Sequence, residues 1–270
     1  DGYIRRFCTS DQSENNFIYY VLGKKERHTL ADYVTGVEET STNKIVLYSS
    51  AQTGKTTELK QLCWELQQSG LYLPVSFEVR TNTKLKRDDL PESQYVDGRE
   101  VVLVIDALDE VNGQKYEDLL EEIGGYAYEH PEMKMVLSCR SNFRRERQLE
   151  LFTELFLEEL SIDDARDYAA KREVNSDRFM RSVFANQLED FIKNPFFLSV
   201  LIDAYKGKGK QLPKTKADIY KLFIKSSYDK EVKEKNVSLS AQHSFEESVR
   251  LLERVALGLS LMNAQSLNKE

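Results

Sequence analysis

The stretch Ile45-Val46-Leu47-Tyr48-Ser49-Ser50-Ala51-Gln52-Thr53-Gly54-Lys55-Thr56-Thr57 decides how this chain folds. An apolar run breaks into small and polar residues and restarts at Gly-Lys-Thr-Thr. That reads as a buried strand, a tight loop and the first turn of a helix. The end of the stretch matches the pattern G-x-x-x-x-G-K-[ST]. Such an order lets backbone N–H groups and a helix N-terminus converge on an anion while the Lys55 ammonium reaches the outer phosphates. Ser49 stands at the first glycine position, so the match is incomplete. Gly-Lys-Thr-Thr at a helix start also suits an ordinary N-cap, and the loop by itself leaves both readings open.

A second stretch narrows the choice. Val101-Val102-Leu103-Val104-Ile105 is an uninterrupted apolar run, followed by Asp106-Ala107-Leu108-Asp109-Glu110. Such a run suits a strand buried on both faces of a parallel sheet, with its first acid at the carboxyl end, where open α/β sheets place their ligands. An Asp there holds Mg²⁺ together with the loop hydroxyl, here Thr56, and a further acid orients or deprotonates the attacking water. The two motifs lie far enough apart for one helix, one strand and one crossover. Their order predicts a nucleotide site.

Composition sets wider bounds. At 270 residues the chain exceeds one typical domain. Its 40% hydrophobic and 31% charged content is that of an ordinary globular protein. No apolar run approaches the ~20 residues a membrane span needs, and no signal peptide opens the chain. Cys8, Cys63 and Cys139 are far apart and lack metal-ligand spacing. Cys63 and Cys139 read as buried thiols in a reducing cytosol. The net charge of −7 and pI near 5.3 argue against nucleic acid as the main partner. The basic runs Lys84-Leu85-Lys86-Arg87 and Arg144-Arg145-Glu146-Arg147 read as solvated loop charges. The chain starts at Asp1 without an initiator Met, so a fragment of a longer protein is expected.

Apolar spacing predicts helices over 28–39 and 58–68, the latter stopped by Gly70. Strands are expected at 44–48, about 71–79, 101–105, 133–139 and about 154–158. Residues 80–99 read as a loop, and a helix near 115–129 as interrupted at Gly124-Gly125. Alternation of strands and helices predicts a doubly wound parallel sheet. From Ser161 the pattern turns helical, with Ser161 as N-cap and Asp164 completing a capping box. Helical spacing covers 165–172, 180–193 and 196–205, Pro195 starting the last of these. Lys206-Gly207-Lys208-Gly209-Lys210 reads as a linker before helices near 215–233 and 244–263. The expected division is an N-terminal segment 1–43, a P-loop nucleotide domain 44–160, a helical domain 161–210 and a winged-helix-like domain 211–270, truncated at its end.

The order of motifs resembles the NACHT branch of the STAND signalling P-loop ATPases, over residues 3 to about 256. Ser-Ser-Ala-Gln-Thr-Gly-Lys-Thr-Thr is similar to the family's Gly-x-Ala-Gly-x-Gly-Lys-Thr. Asp106-Ala107-Leu108-Asp109-Glu110 is similar to its Asp-Gly-Leu-Asp-Glu, and Ser138-Cys139-Arg140 to its strand-end Thr-Ser-Arg. Asn194-Pro195-Phe196-Phe197-Leu198 is similar to its Asn-Pro-Leu-x-Leu. The run from Leu212 through Tyr220 looks like the entry to its winged-helix domain. The resemblance implies a loop of Ser50, Ala51, Gln52, Thr53 and Gly54 around the phosphates, with Lys55 on the β- and γ-phosphates and Thr57 supporting the α-phosphate. It implies Thr56 and Asp106 on Mg²⁺, Asp109 and Glu110 as candidates to activate water with Glu110 favoured, and Arg140 sensing the γ-phosphate. Pro195 would pack near the base, and Tyr3-Ile4-Arg5-Arg6 is similar to the N-terminal segment that covers adenine, with Tyr3 and Ile4 as its binding residues. A bland alternative has Arg140 merely paired with an acid of a neighbouring strand. Two family glycines are replaced, by Ser49 and Gln52, which puts close phosphate approach in question. Ala107 for glycine reads as a mild change.

The function implied is an ATP/ADP-binding switch in innate-defence signalling, such as a bacterial antiphage system. ADP would hold a closed monomer and ATP would favour self-association, with slow Mg²⁺-dependent hydrolysis. Sensor and effector domains would lie outside the fragment, in the cytoplasm, with no membrane partner. Two other classes stand beside it: a nucleotide-free scaffold that serves as an interaction module, and an AAA+-like nucleic-acid remodeller.

Overall fold

The structure is a computed structural model that describes residues 3–10, 27–36, 42–79, 85, 87–111, 114–144, 149–207, 211–234 and 244–261. Its centre is a seven-stranded sheet built from β1 (Cys8–Thr9), β2 (Lys44–Ser49), β3 (Tyr72–Glu78), β4 (Tyr95–Val96), β5 (Arg99–Asp106), β6 (Lys134–Arg140) and β7 (Thr153–Leu157). The strand order is β1-β7-β2-β6-β5-β3, with β4 alongside β5. Strands β2, β3, β5, β6 and β7 run parallel. The short β1 and β4 pair antiparallel, with β7 and β5 respectively. The fold is therefore α/β with a mostly parallel sheet rather than a wholly parallel one.

Side-chain alternation explains why both faces are covered. In β2, Ile45 and Leu47 join one core, while Val46 and Tyr48 join the other. In β5, Val102 and Val104 face the first core, and Val101, Leu103 and Ile105 the second. Helices α1 (Leu30–Thr35) and α2 (Lys55–Ser69) close the first with Leu30, Leu59, Leu62 and Leu66. Helix α3 (Gln114–Glu129) closes the second with Leu120, Ile123 and Tyr126. Each such side chain fully removed from water contributes about 1.5–3 kcal/mol. The expected winding on both faces is present.

The remaining described residues form α4 (Ile162–Lys171), α5 (Ser176–Ala185), α6 (Glu189–Ile192), α7 (Pro195–Gly207), α8 (Lys216–Glu234) and α9 (Phe245–Leu261). A third core gathers Tyr168, Phe179, Met180, Val183, Leu198, Leu201, Ile202, Ile219 and Phe223. Phe197 stacks on Phe223 at 4.2 Å between ring centroids, tying α7 to α8. The capping box at α4 forms as expected, Ser161 accepting from the Asp164 amide and Asp164 from the Ser161 amide. Pro195 opens α7, with Asn194 Oδ1 accepting from the Phe196 amide at 2.9 Å. Among the described residues, no helix is long and apolar enough to cross a membrane.

Several expectations are corrected. Residues 80–99 are not all loop: Tyr95 and Val96 pair with Glu100 and Arg99 across a turn at Asp97-Gly98, both left-handed at φ 50° and 75°. Asp-Gly is the composition such two-residue hairpin turns require. Helix α3 runs unbroken through Gly124-Gly125, because Ile123, Tyr126 and Ala127 are all at least 98% buried and anchor it there. The helix read over 180–193 is two, α5 and α6, parted where Gln187 takes a left-handed φ of 55°. Helix α2 begins at Lys55, not Glu58, and α1 ends at a left-handed Gly36, before the predicted 39. Residues 145–147 and 208–210, which carry most of a basic run and of the linker, lie outside the described residues.

Candidate functional site

Parallel strands β2, β5 and β6 end side by side, and their carboxyl ends carry the motif residues. The loop after β2 runs 50–54 and enters α2 at Gly54, left-handed at φ 94°. Gln52 is also left-handed, at φ 61°. Ser49 is not: it ends β2 in extended backbone and uses its hydroxyl instead. Its Oγ lies 2.6 Å from Thr53 Oγ1, and Thr53 Oγ1 donates to the Ser50 carbonyl at 2.8 Å. The loop is thus stapled across its own neck by two hydroxyls.

Lys55 lays its ammonium on the loop, donating from Nζ to the Ser49 and Ser50 carbonyls at 3.4 Å each. Burial lowers its pKa, opposed by the charges of Asp109 and Asp106 and helped by Arg140. Among the described residues it forms no ion pair. Thr56 and Thr57 follow on the exposed first turn of α2.

The acids are served by β6. Pairing of Ile105 with Leu137 brings Ser138 beside Asp106. Ser138, fully buried, donates a short hydrogen bond from Oγ to Asp106 Oδ1 and accepts from the Ala107 amide at 3.0 Å. Ala107 is left-handed, φ 66°, so the glycine the resemblance expects there would have been relaxed, and alanine is not a mild replacement. Two residues along β6, Arg140 engages Asp109 twice. Its amide donates to Oδ1 at 3.0 Å and its Nε to Oδ2 at 2.7 Å. The Asp109 side chain is 4% exposed and that of Arg140 43%. Glu110 is exposed. Arg140 also faces Ser49 in the β2–β6 register, so it lies beside the root of the loop.

The N-terminal segment approaches from the other side. Tyr3 donates its hydroxyl to Glu58 Oε2 at 2.8 Å. Glu58 sits in the first turn of α2, is 3% exposed, and burial raises its pKa to about 7. Arg6, 5% exposed, donates from Nη1 to the Thr53 carbonyl at 2.6 Å and from Nη2 to the Glu158 carbonyl. Ile4 packs against the third core, as does Phe196, the neighbour of Pro195. Of the residues the sequence nominated, Lys55, Asp106, Asp109 and Arg140 meet at the strand ends. Tyr3 reaches the loop's helix rather than an open face, and Ile4 packs against the third core, which extends from Leu160 to Phe223.

Arg6, Glu58 and Ser138 were not nominated. Ser138 had a signal, being two residues from Arg140 on a strand and so on the same face. For Arg6, nothing in sequence distinguishes it from the exposed Arg5. Its partners lie 47 and 152 residues away.

Asp106 offers Oδ2, which carries no hydrogen bond among the described residues, and Thr56 offers an exposed hydroxyl. Among the described residues there is no cluster of three or more His, Cys, Asp or Glu side chains placed for a metal. Mg²⁺ fits that arrangement, since it binds through one or two carboxylates and takes phosphates and waters for the rest. A cation lodged only on neutral carbonyls, as Lys55 is, fits an anion at the loop.

No family model and no curated protein matches this chain. Among solved structures it is similar to the RuvB Holliday junction branch migration motor of Thermotoga maritima, with a TM-score of 0.36 and 16% identity over 66% of this chain and 60% of that one. The chain thus spans less than two thirds of that protein's length. A likeness of this size says nothing about what the chain binds or does.

Proposed function

We propose that the chain binds ATP and ADP at the loop after β2 and acts as a slow, Mg²⁺-dependent switch of the NACHT type. The observation that carries this reading is the meeting of Lys55, Asp106, Asp109 and Arg140 at one end of the sheet, around a loop that ends in a helix N-terminus. A division into nucleotide domain 44–160, helical domain 161–210 and winged-helix-like domain 211–270 belongs to the same proposal, as do self-association of the ATP form and a cytoplasmic setting.

Each side chain has a task it can perform from where it stands. Lys55 exchanges two weak carbonyl bonds for phosphate oxygens, and its lowered pKa is offset once an anion is near. Thr56 and Asp106 would hold Mg²⁺, which when bound spreads and neutralises phosphate charge. Ser138 orients the Asp106 carboxylate toward that duty, as the partners of metal-ligating carboxylates do. Asp109 has both oxygens engaged by Arg140, so it is poorly placed to take a proton from water. Glu110, the exposed acid beside it, is the base the resemblance favours. The part-exposed Arg140 guanidinium can trade Asp109 for an outer phosphate, and that differential contact is what biases a switch between states.

Mass spectrometry of small molecules released on denaturing the purified protein tests the reading, with ADP as the expected find. Calorimetry with Mg²⁺ and ADP is the companion measurement, and Lys55→Ala is expected to lose binding while keeping its fold. Folded native protein that releases no nucleotide and gives no heat with Mg²⁺ and ADP would instead make the chain an interaction scaffold.

A further inference from the structure

A charged guanidinium is costly to bury unless its donors find good acceptors. Arg6 is 5% exposed, and its nearest acceptors are two backbone carbonyls, those of Thr53 in the loop and Glu158 just past β7. Neither acceptor is a carboxylate. The side chain therefore fixes the direction of peptide planes through its hydrogen bonds, while its charge acts through space on Glu58.

The consequence follows from peptide geometry. In a trans peptide the C=O and the following N–H point in opposite directions. With the Thr53 carbonyl held toward Arg6, the Gly54 N–H is turned away from Arg6. Gly54 is the residue at which the loop enters α2, so this amide is one of the donors a phosphate would meet first. A Cβ built on Gly54 would lie 3.8 Å from Arg6 Nη1, which places the guanidinium directly against the loop's outer wall. Two further contacts seat the same segment. Tyr3 donates to Glu58, one turn into α2, and Ile4 packs on the core formed by the helices after β7.

We propose that Arg6 is a positioning residue for the phosphate loop, bracing it from behind so that the Gly54 amide faces the anion, with the Tyr3–Glu58 hydrogen bond as the clasp that keeps the brace seated. The inference rests on the reading that this loop binds nucleotide phosphates. It differs from a covering role for residues 3–6 over a base, since Arg6 and the Tyr3 hydroxyl are both spent on the loop and its helix.

The test compares native protein with Arg6→Ala, Arg6→Lys and Tyr3→Phe by hydrogen exchange of the amides at 51–56 without nucleotide, and by titration with Mg²⁺ and ADP. In Arg6→Ala, exchange at 51–56 is expected to quicken while β5 and β6 amides stay protected. Affinity for ADP is expected to fall by about 10- to 100-fold, the size of one lost charge-assisted bond. Arg6→Lys reaches one carbonyl but cannot bridge two, so it is expected to recover part of the loss. Tyr3→Phe is expected to weaken binding by only about 3- to 10-fold. Native loop exchange in Arg6→Ala or in the milder Arg6→Lys, with the fold intact, overturns the brace. Native protein that binds no ADP while its loop still loosens in Arg6→Ala leaves the brace standing and sinks the nucleotide reading instead.

Discussion

Gln52 and Ser49 occupy the two loop positions where the resembling family carries glycine, and they answer to opposite physics. Gln52 is left-handed, a conformation that costs a residue with a Cβ roughly 1–2 kcal/mol. Gln52→Gly is expected to raise stability by a few tenths to about 1 kcal/mol once the freer unfolded chain is counted. Ser49 is extended, and its hydroxyl staples the loop to Thr53. Ser49→Gly is expected to lower stability by about 1 kcal/mol or somewhat more. Urea midpoints of the two variants should move in opposite directions; equal signs would refute the account. Ser138 offers a sharper test. Ser138→Ala strips a partner from Asp106 and from the Ala107 amide, both otherwise short of partners, at a cost of about 1–3 kcal/mol. Weaker dependence of nucleotide binding on Mg²⁺ should accompany that loss, measured by titrating the metal at fixed ADP.

Helix α3 shows how an element can overrule its own composition. Gly125 is exposed in mid-helix and nothing stands within 4 Å of the Cβ it lacks. Gly125→Ala is expected to add about 0.5–1 kcal/mol, read as a higher melting temperature. The capping box of α4 supplies a pH test. Asp164 is partly buried, which alone would raise its pKa, but hydrogen bonds from Ser161 and Arg27 win and hold it below 3.8. Its folded form therefore favours the charged carboxylate. The stabilisation is present above the ordinary carboxylate range and fades as pH falls through it. Asp164→Asn is expected to cost about 1 kcal/mol near neutral pH, with the gap to native protein shrinking toward pH 2 in acid unfolding series.

What was legible in the sequence follows the same division between local and distant causes. The β2 and β5 strands could be read because apolar runs bounded by turn residues and acids leave few alternatives. The α4 cap could be read because its partners are three residues apart. Asp97-Gly98 carries the signal of a two-residue hairpin turn, but the polar residues on either side of it mask the short strands it joins. The break at Gln187 was not legible, since glutamine carries no turn signal. Continuity of α3 depended on a core that only the assembled sheet creates. The site divided likewise: motif residues announced themselves, whereas Arg6 and Glu58 owe their burial to chain folded back from far away.

At the scale of the whole molecule, ligand and fold share one equilibrium. A ligand bound only by the folded chain adds RT ln(1 + [L]/Kd), about 2.7 kcal/mol at a hundredfold excess over Kd. Mg²⁺ with ADP should therefore raise the melting temperature of native protein and leave that of Lys55→Ala unchanged. The net charge of −7 acts in the other direction for nucleic acid. Duplex DNA at low salt is expected to show no retention, and binding that weakens steeply with added salt would favour the remodelling alternative.

Strand β6 lies between the strand that feeds the loop and the strand that bears the acids, and its alternate residues Ser138 and Arg140 each hold one acid. A codon deleted within β6 ahead of Ser138 would turn the strand over and put Cys139 and Ser141 where Ser138 and Arg140 had been, and an inserted codon would put Leu137 and Cys139 there. In a deletion-scanning library sorted for ligand capture, the span 134–140 should come back blank, even where the encoded chains still fold and point substitutions are forgiven.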